Sequence, residues 1–314
     1  MPPNAAAALQ NASLVGQNKT AVVVGGTRGI GGAVARLLAK LGCSRIIILG
    51  RGEKQGKDAV EILKNRAPKG GKVEAEFVQG DLSDNKGMRS AAIALQAAAG
   101  DAVIDYLILC QNGSPAGLNI KYNAEGHDTA FAIQGISRFS IAYLLTTRGG
   151  LASNAMVMSI CNQGQSLDDL SVDDLSLKNR LEARPSGPAL FMQQSKRDCT
   201  VIDSCFEELN TRYPQYRYYS LFPGLVKTEE FDPSFAPGYL KWVMWLGIRL
   251  IATTPDQYAN FPVYILASPE AQRTLGSGKY FDRRLNPTPL GKWASDSKNR
   301  QALWEKMAEI IGEK

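Results

Sequence analysis

The residue on which most hydrolases depend is nearly absent: the 314-residue chain holds one histidine, His127. A serine-histidine-aspartate hydrolase would have to use it, and no GxSxG elbow accompanies it, so that class is set aside. Cysteine is scarce too, at positions 43, 110, 161, 199 and 205. An odd number without metal-ligand spacing reads as reduced thiols of a cytoplasmic protein, with neither a disulfide framework nor a metal site expected. No basic block of the kind that grips nucleic acid is present. The net charge of +6 comes from lysines and arginines spread along the chain, which reads as a basic surface without a nucleic-acid partner. Long apolar runs are missing as well. The most lipophilic stretch, YLKWVMWLGIRLIA (239–252), carries Lys241 and Arg249 and is short for a membrane span. It reads as an amphipathic lid or buried helix, touching a membrane surface at most. The opening MPPNAAAALQNASL has no basic n-region and no long apolar core, so residues 1–15 read as a flexible tail and not as a secretory signal.

What is present alternates. TAVVVG (20–25) and RIIILG (45–50) are β-branched runs, and Val34, Leu37, Leu38 and Leu41 between them fall on one helical face. KVEAEFVQ (72–79), VIDYLILC (103–110), NAMVMSI (154–160), YRYYSLF (216–222) and GKYF (278–281) supply further strands. Strands separated by helical stretches predict a Rossmann-like, doubly wound parallel sheet of about seven strands with helices on both faces. No internal repeat or linker divides the chain, so residues 16–314 are expected to form one domain. Residues 230–280 read as an insertion lying as a lid over the substrate.

The turn out of the first strand, VVVGGTRGIGGAVARLL (22–38), sets Gly25, Gly29 and Gly31 before a helix. Glycines permit a tight turn and close approach of backbone to phosphate, and a helix N-terminus offers free N–H groups to a pyrophosphate. The strand-before, helix-after context is the condition under which such a fingerprint carries weight. Charge then addresses the choice of dinucleotide. The second strand ends in Gly50 and Arg51, with no acid for a ribose diol, and Arg28 sits within the glycine loop. Two guanidiniums suit a 2′-phosphate, so NADP(H) is expected.

The GxxxGxG spacing resembles that of the short-chain dehydrogenase/reductase superfamily, whose pattern here is TGxxxGIG, with Val24 in the threonine position. GDLSD (80–84) resembles that family's aspartate after the third strand, and FPGLVKTEE (222–230) its PGxVxT segment. The later TTPDQYANFPVYILASPE and GSGKYFD resemble retinol-dehydrogenase-like and fungal members. The resemblance spans about residues 15–310. It implies a cofactor site made by Gly25, Thr27, Arg28, Gly29, Ile30, Gly31, Arg51, Asp81, Asn112, Lys196, Val226 and Thr228.

It also implies four catalytic positions, and there the chain departs from the pattern. Where the family has YxxxK this sequence has MQQSK: Lys196 is kept, and Met192 stands in the tyrosine position. No Tyr-x-x-x-Lys occurs elsewhere. In VMSICNQG (157–164), Cys161 aligns with the family serine, with Ser159 as the alternative register. Gln134 occupies the asparagine position, and LCQNG (109–113) replaces the NNAG turn, keeping Asn112 and Gly113. A methionine donates no proton, and a missing general acid costs about 10²–10⁴ in rate. Cys161 as a weak donor and as a small buried hydrophobe are both open at this point. The resemblance therefore implies an NADP(H)-dependent oxidoreductase with an atypical site. Non-redox isomerase, cyclase or dehydratase chemistry and cofactor binding without turnover are the alternatives. Met192, Trp242, Met244 and Trp245 suggest a hydrophobic cavity and a specialised metabolite as substrate. The helix carrying Lys196 commonly forms a homodimer interface in this family.

Overall fold

The computed structural model describes residues 4–113, 117–161, 166–227 and 252–313. Seven strands form one parallel sheet: β1 (Thr20–Val24), β2 (Arg45–Gly50), β3 (Glu74–Gln79), β4 (Ile104–Leu109), β5 (Leu151–Ile160), β6 (Arg217–Leu221) and β7 (Tyr280–Phe281). Their order is β3-β2-β1-β4-β5-β6-β7. β1 is buried at every position, which is why it reads as a continuous apolar run without alternation.

Helices cover both faces, after a short first helix, α1 (Ala5–Leu9). On one side lie α2 (Gly29–Lys40), α3 (Glu53–Lys64) and the later helix Pro255–Ala267, packed over Val23, Ile46, Ile48 and Met158. The other side carries α4 (Asn85–Ala99), the helix Ser137–Thr147, the long helix Gly187–Arg212 and the closing helix Ser297–Ile310, over Val22, Leu107 and Val157. Local chemistry sets the helix starts. Asp84 Oδ1 accepts from Gly87 N at 2.7 Å at the head of α4. Thr254 and Gln257 form a reciprocal capping box ahead of Pro255.

Two expectations are corrected. The N-terminal segment is not a loose tail from residue 4 onward: Ala5–Leu9 is helical, and Ala5, Leu9 and Leu14 are buried in the α2-side core. Its alanines and leucines cover apolar surface on the Pro255–Ala267 helix. The proposed lid at 230–280 is likewise cut short. Residues 228–251, including Thr228, Trp242, Met244 and Trp245, lie outside the described residues. From Pro255 on, however, the segment is a core layer, with Tyr258, Val263 and Tyr264 buried.

The chain runs outward from β1 through β2 to β3, then returns and runs the other way through β4, β5 and β6. That reversal opens a crevice beyond the carboxyl ends of β1 and β4, where ligands of open parallel sheets bind. No helix among the described residues is long and apolar enough to cross a membrane.

Candidate functional site

A cavity of about 740 Å³ fills this crevice. Its wall comes from the loops that follow β1, β2, β3, β4, β5 and β6. At one end the wall is backbone. Gly25 has a left-handed φ of 75°, and a Cβ there would meet Gln111 N at 2.8 Å. A Cβ on Gly31 would come within 2.3 Å of the Gly25 carbonyl oxygen. Side chains at either position would fill the floor of the turn, so the sequence keeps a bare cradle in front of the first turn of α2. The N–H groups of that turn have no partner within the helix.

Thr27, Arg28, Gly29, Ile30, Arg51, Asp81, Asn112 and Val226 also line the cavity. Arg28 and Arg51 are exposed, and Gly50, the last residue of β2, brings no carboxylate. Asp81 turns its Oδ1 to Ser83 N at 3.0 Å, stabilising the loop after β3.

The other end is made of buried side chains. A five-residue π segment, Ala132–Ile136, interrupts the helix leading into Ser137–Thr147 and carries Gln134. Such bulges re-aim side chains and are frequent at functional sites. Gln134 Oε1 accepts from Gly113 N at 3.0 Å, and its Nε2 donates to Cys161 Sγ at 2.9 Å. One amide thus ties the turn after β4 to the end of β5. The Cys199 thiol, on Gly187–Arg212, donates to Cys161 as well, which with burial holds it well above the ordinary thiol range.

Behind these groups lies Arg138, one turn after Gln134 and 1% exposed. Its guanidinium donates to the Leu109 carbonyl, to Gln111 O at 2.6 Å and to Ser159 Oγ at 3.0 Å. A second buried guanidinium, Arg197, bridges Asp198 at 2.8 Å and Asp128 at 3.3 Å. Burial pushes the Asp198 carboxyl up to about 7, against the pull of Arg197. One guanidinium cannot neutralise two buried carboxylates, so the cluster holds a proton into the neutral range.

Among the catalytic expectations, Gln134 and Cys161 line the cavity together. Ser159, the alternative register, is fully buried and engaged by Arg138. The long helix brings a different residue to the wall than its motif suggests. Phe191 lines the cavity, whereas Met192, 48% exposed, and the half-buried Lys196 do not. The residues that sequence reasoning missed are Arg138, Gln111 and Phe191. Arg138 had one signal, its place four residues after Gln134 on the same helical face; an arginine on an exposed face would look the same.

The fold, the crevice at the strand reversal and the bare glycine cradle define a dinucleotide-fold protein. Residues 19–148 match the family described as short chain dehydrogenase, and proteins named as dehydrogenases resemble the chain over most of its length. It is 22% identical over 304 residues to a polyprenol dehydrogenase of Homo sapiens, covering 94% of this chain and 86% of that one. The short-chain dehydrogenase anuD of Penicillium roqueforti is 21% identical over 326 residues, covering 95% and 78%. Among solved structures, L-sorbose reductase from Gluconobacter frateurii, complexed with NADPH and L-sorbose, aligns with a TM-score of 0.61. It is 16% identical and covers 88% of this chain and 99% of that one; at that identity the likeness concerns the fold.

Proposed function

We propose that the chain is an NADP(H)-dependent oxidoreductase acting on a hydrophobic small molecule, a specialised metabolite in our reading, with a proton supply unlike the family's. The observation that carries the dinucleotide choice is the pair Arg28 and Arg51, both on the cavity wall where β2 ends without a carboxylate. The cradle at Gly25 and Gly31 fits a pyrophosphate, since any Cβ there would occupy its floor. When bound, a nicotinamide supplies or accepts a hydride.

The chain's own residues would do the rest. Ile133, Ile160, Phe191, Leu225 and Val226 give the wall its apolar character, in keeping with a relative whose name gives a polyprenol as substrate. Cys161 would stand at the substrate oxygen in the serine's place, oriented by Gln134. Asn112 supports the nicotinamide end and Asp81 the adenine end in this reading, and Thr228, outside the described residues, keeps the cofactor-site place that the family pattern gives it.

One observation favours a second reading. No tyrosine, lysine or histidine lines the cavity among the described residues, so a non-redox isomerisation or dehydration using the same pocket also fits. Loss of reduced-nicotinamide absorbance with candidate carbonyl substrates separates the two; rearranged product without cofactor consumption selects the second.

Calorimetry tests the cofactor. NADPH should bind at least tenfold more tightly than NADH. The double variant Arg28→Ala/Arg51→Ala should lose about 2–3 kcal/mol of NADPH affinity, the range of charge-assisted hydrogen bonds, with little change for NADH. Equal wild-type affinities for the two nucleotides would overturn the NADP(H) assignment.

A further inference from the structure

Four of the five thiols are built to stay protonated. Cys43 and Cys205 are buried in the two cores, and burial raises both, Cys43 to about 12. Cys110 reaches the cavity, yet burial pushes its thiol up to about 12 as well. Cys199 is 1% exposed and spends its proton on Cys161.

Cys161 differs in kind. It lines the cavity from the end of β5, and its sulfur receives two donors, the Gln134 amide at 2.9 Å and the Cys199 thiol. Donors aimed at a sulfur favour its anionic form. The wall beside it supplies the counter-charge. Arg138 lines the same cavity, and it donates to neutral oxygens of Leu109, Gln111 and Ser159; it makes no ion pair with a carboxylate among the described residues. Its buried Nε and the buried Oε1 of Gln111, also on the wall, have no hydrogen-bond partner. A buried donor and acceptor left open at a cavity wall are groups that a ligand's polar atoms can satisfy. Asp198, an acid whose charge reaches Arg138, is paired with Arg197 at 2.8 Å and keeps its proton into the neutral range, so it cancels little of the Arg138 charge.

We propose that Cys161 is a nucleophilic thiolate site within this cavity, which takes α,β-unsaturated carbonyl compounds covalently. The chemistry balances without an oxidant. The thiol proton leaves to solvent, and the sulfur lone pair forms the S–C bond to the β-carbon. The C=C π pair shifts towards the carbonyl as an enolate, which the Arg138 charge stabilises. A solvent proton then closes the α-carbon.

The probe is N-ethylmaleimide, whose ring is such an acceptor, used below stoichiometry on the full chain, with the alkylated peptides quantified by mass spectrometry. Cys161 should be labelled at least about tenfold faster than Cys110 or any of the other three, as thiolate character governs rate. Cys161→Ser should abolish the fast phase. Gln134→Leu, with its fold checked by circular dichroism, should slow it about fivefold by removing one donor. Should that variant fail to fold, the wild-type ratio of Cys161 to Cys110 decides alone. Labelling of Cys161 no faster than Cys110 overturns the proposal. Shielding by NADP⁺ is expected, and this arm rests on the proposed dinucleotide site. Fast labelling indifferent to saturating NADP⁺ supports the thiol site and counts against that dinucleotide reading. Slow labelling in a chain that binds NADP⁺ in calorimetry overturns the thiol site alone.

Discussion

The two ends of the cavity are built on different principles. At the β1–β2 end, backbone makes the site: a turn with no room for a Cβ, a helix N-terminus, and exposed Arg28 and Arg51 on the same wall. At the β4–β5 end, side chains make it: Gln134, Cys161, Cys199 and Arg138 are buried and held by one another or by the strand ends. A site made of backbone depends on a few residues that must be small, and it tolerates change in the rest. A site made of interlocked side chains can be rewritten only as a set. That difference accords with a sequence that keeps the expected glycine spacing at one end and carries Gln134, Cys161 and Met192 in place of the expected residues at the other.

The largest effect should come from breaking the backbone-made end. In Gly31→Val, the Cβ would press on the Gly25 carbonyl at 2.3 Å, and backbone cannot swing aside as a side chain can. Overpacking of this kind costs about 1–3 kcal/mol of stability. The displaced turn should also lower dinucleotide affinity by about 100-fold, roughly 2.7 kcal/mol. Thermal melts and calorimetry read the two effects separately. A variant that binds as wild type does would mean that the cradle is not the phosphate site.

The same contrast decides what was legible in the sequence. The parallel sheet was, because buried strands write themselves as β-branched runs: RIIILG became β2 at Arg45–Gly50 without a shift. The glycine turn was legible through spacing alone. Gln134 and Cys161 stand out in the sequence by position, and both lie on the cavity wall. The buried Arg138 was not, because a charged residue in a helix looks the same whether it faces water or a cavity. Nor was the rotation of Gly187–Arg212, since a four-residue spacing fixes that Met192 and Lys196 share a face but not where that face points. The N-terminal helix escaped because a run of alanines has little amphipathic signal; its burial depends on the distant Pro255–Ala267 helix.

A smaller effect tests whether the side-chain-made end works as a unit. Burial raises Asp198 from the usual carboxylate range near 4 to about 7. The folded chain therefore binds a proton that the unfolded chain releases, and this group's contribution to stability falls as pH rises from about 4 to about 7. Other carboxylates titrate with the opposite sign, so the comparison must be differential. The stability of wild type minus that of Asp198→Asn should decline steadily between roughly pH 4 and pH 8, since asparagine stays neutral throughout. Denaturant unfolding at several pH values measures it. A flat difference would mean that Arg197 alone keeps Asp198 charged and that no proton is held beside Cys161.

The smallest expected effect concerns which residue of Gly187–Arg212 faces the chemistry. The motif points to Met192, one turn before Lys196, and a tyrosine there would restore the family spacing. Both residues are exposed, Phe191 at 46% and Met192 at 48%, but Phe191 alone of the two lines the cavity. A hydroxyl added at the para position of Phe191 would project into the cavity, whereas one added at position 192 would meet solvent. Phe191→Tyr should therefore raise NADPH-dependent reduction of an activated ketone, and Met192→Tyr should leave it unchanged. The gain should be about tenfold at most, below the usual worth of a general acid. Lys196 is absent from the wall, and without a cation beside it the new phenol keeps a pKa near 10, too high to give up its proton readily at neutral pH. Steady-state rates for the two variants, each checked for NADPH binding, make the comparison. If Met192→Tyr gains activity and Phe191→Tyr does not, the helix must turn its motif face inward when ligands are bound. Lys196 would then regain the place beside the nicotinamide ribose that the family pattern implies.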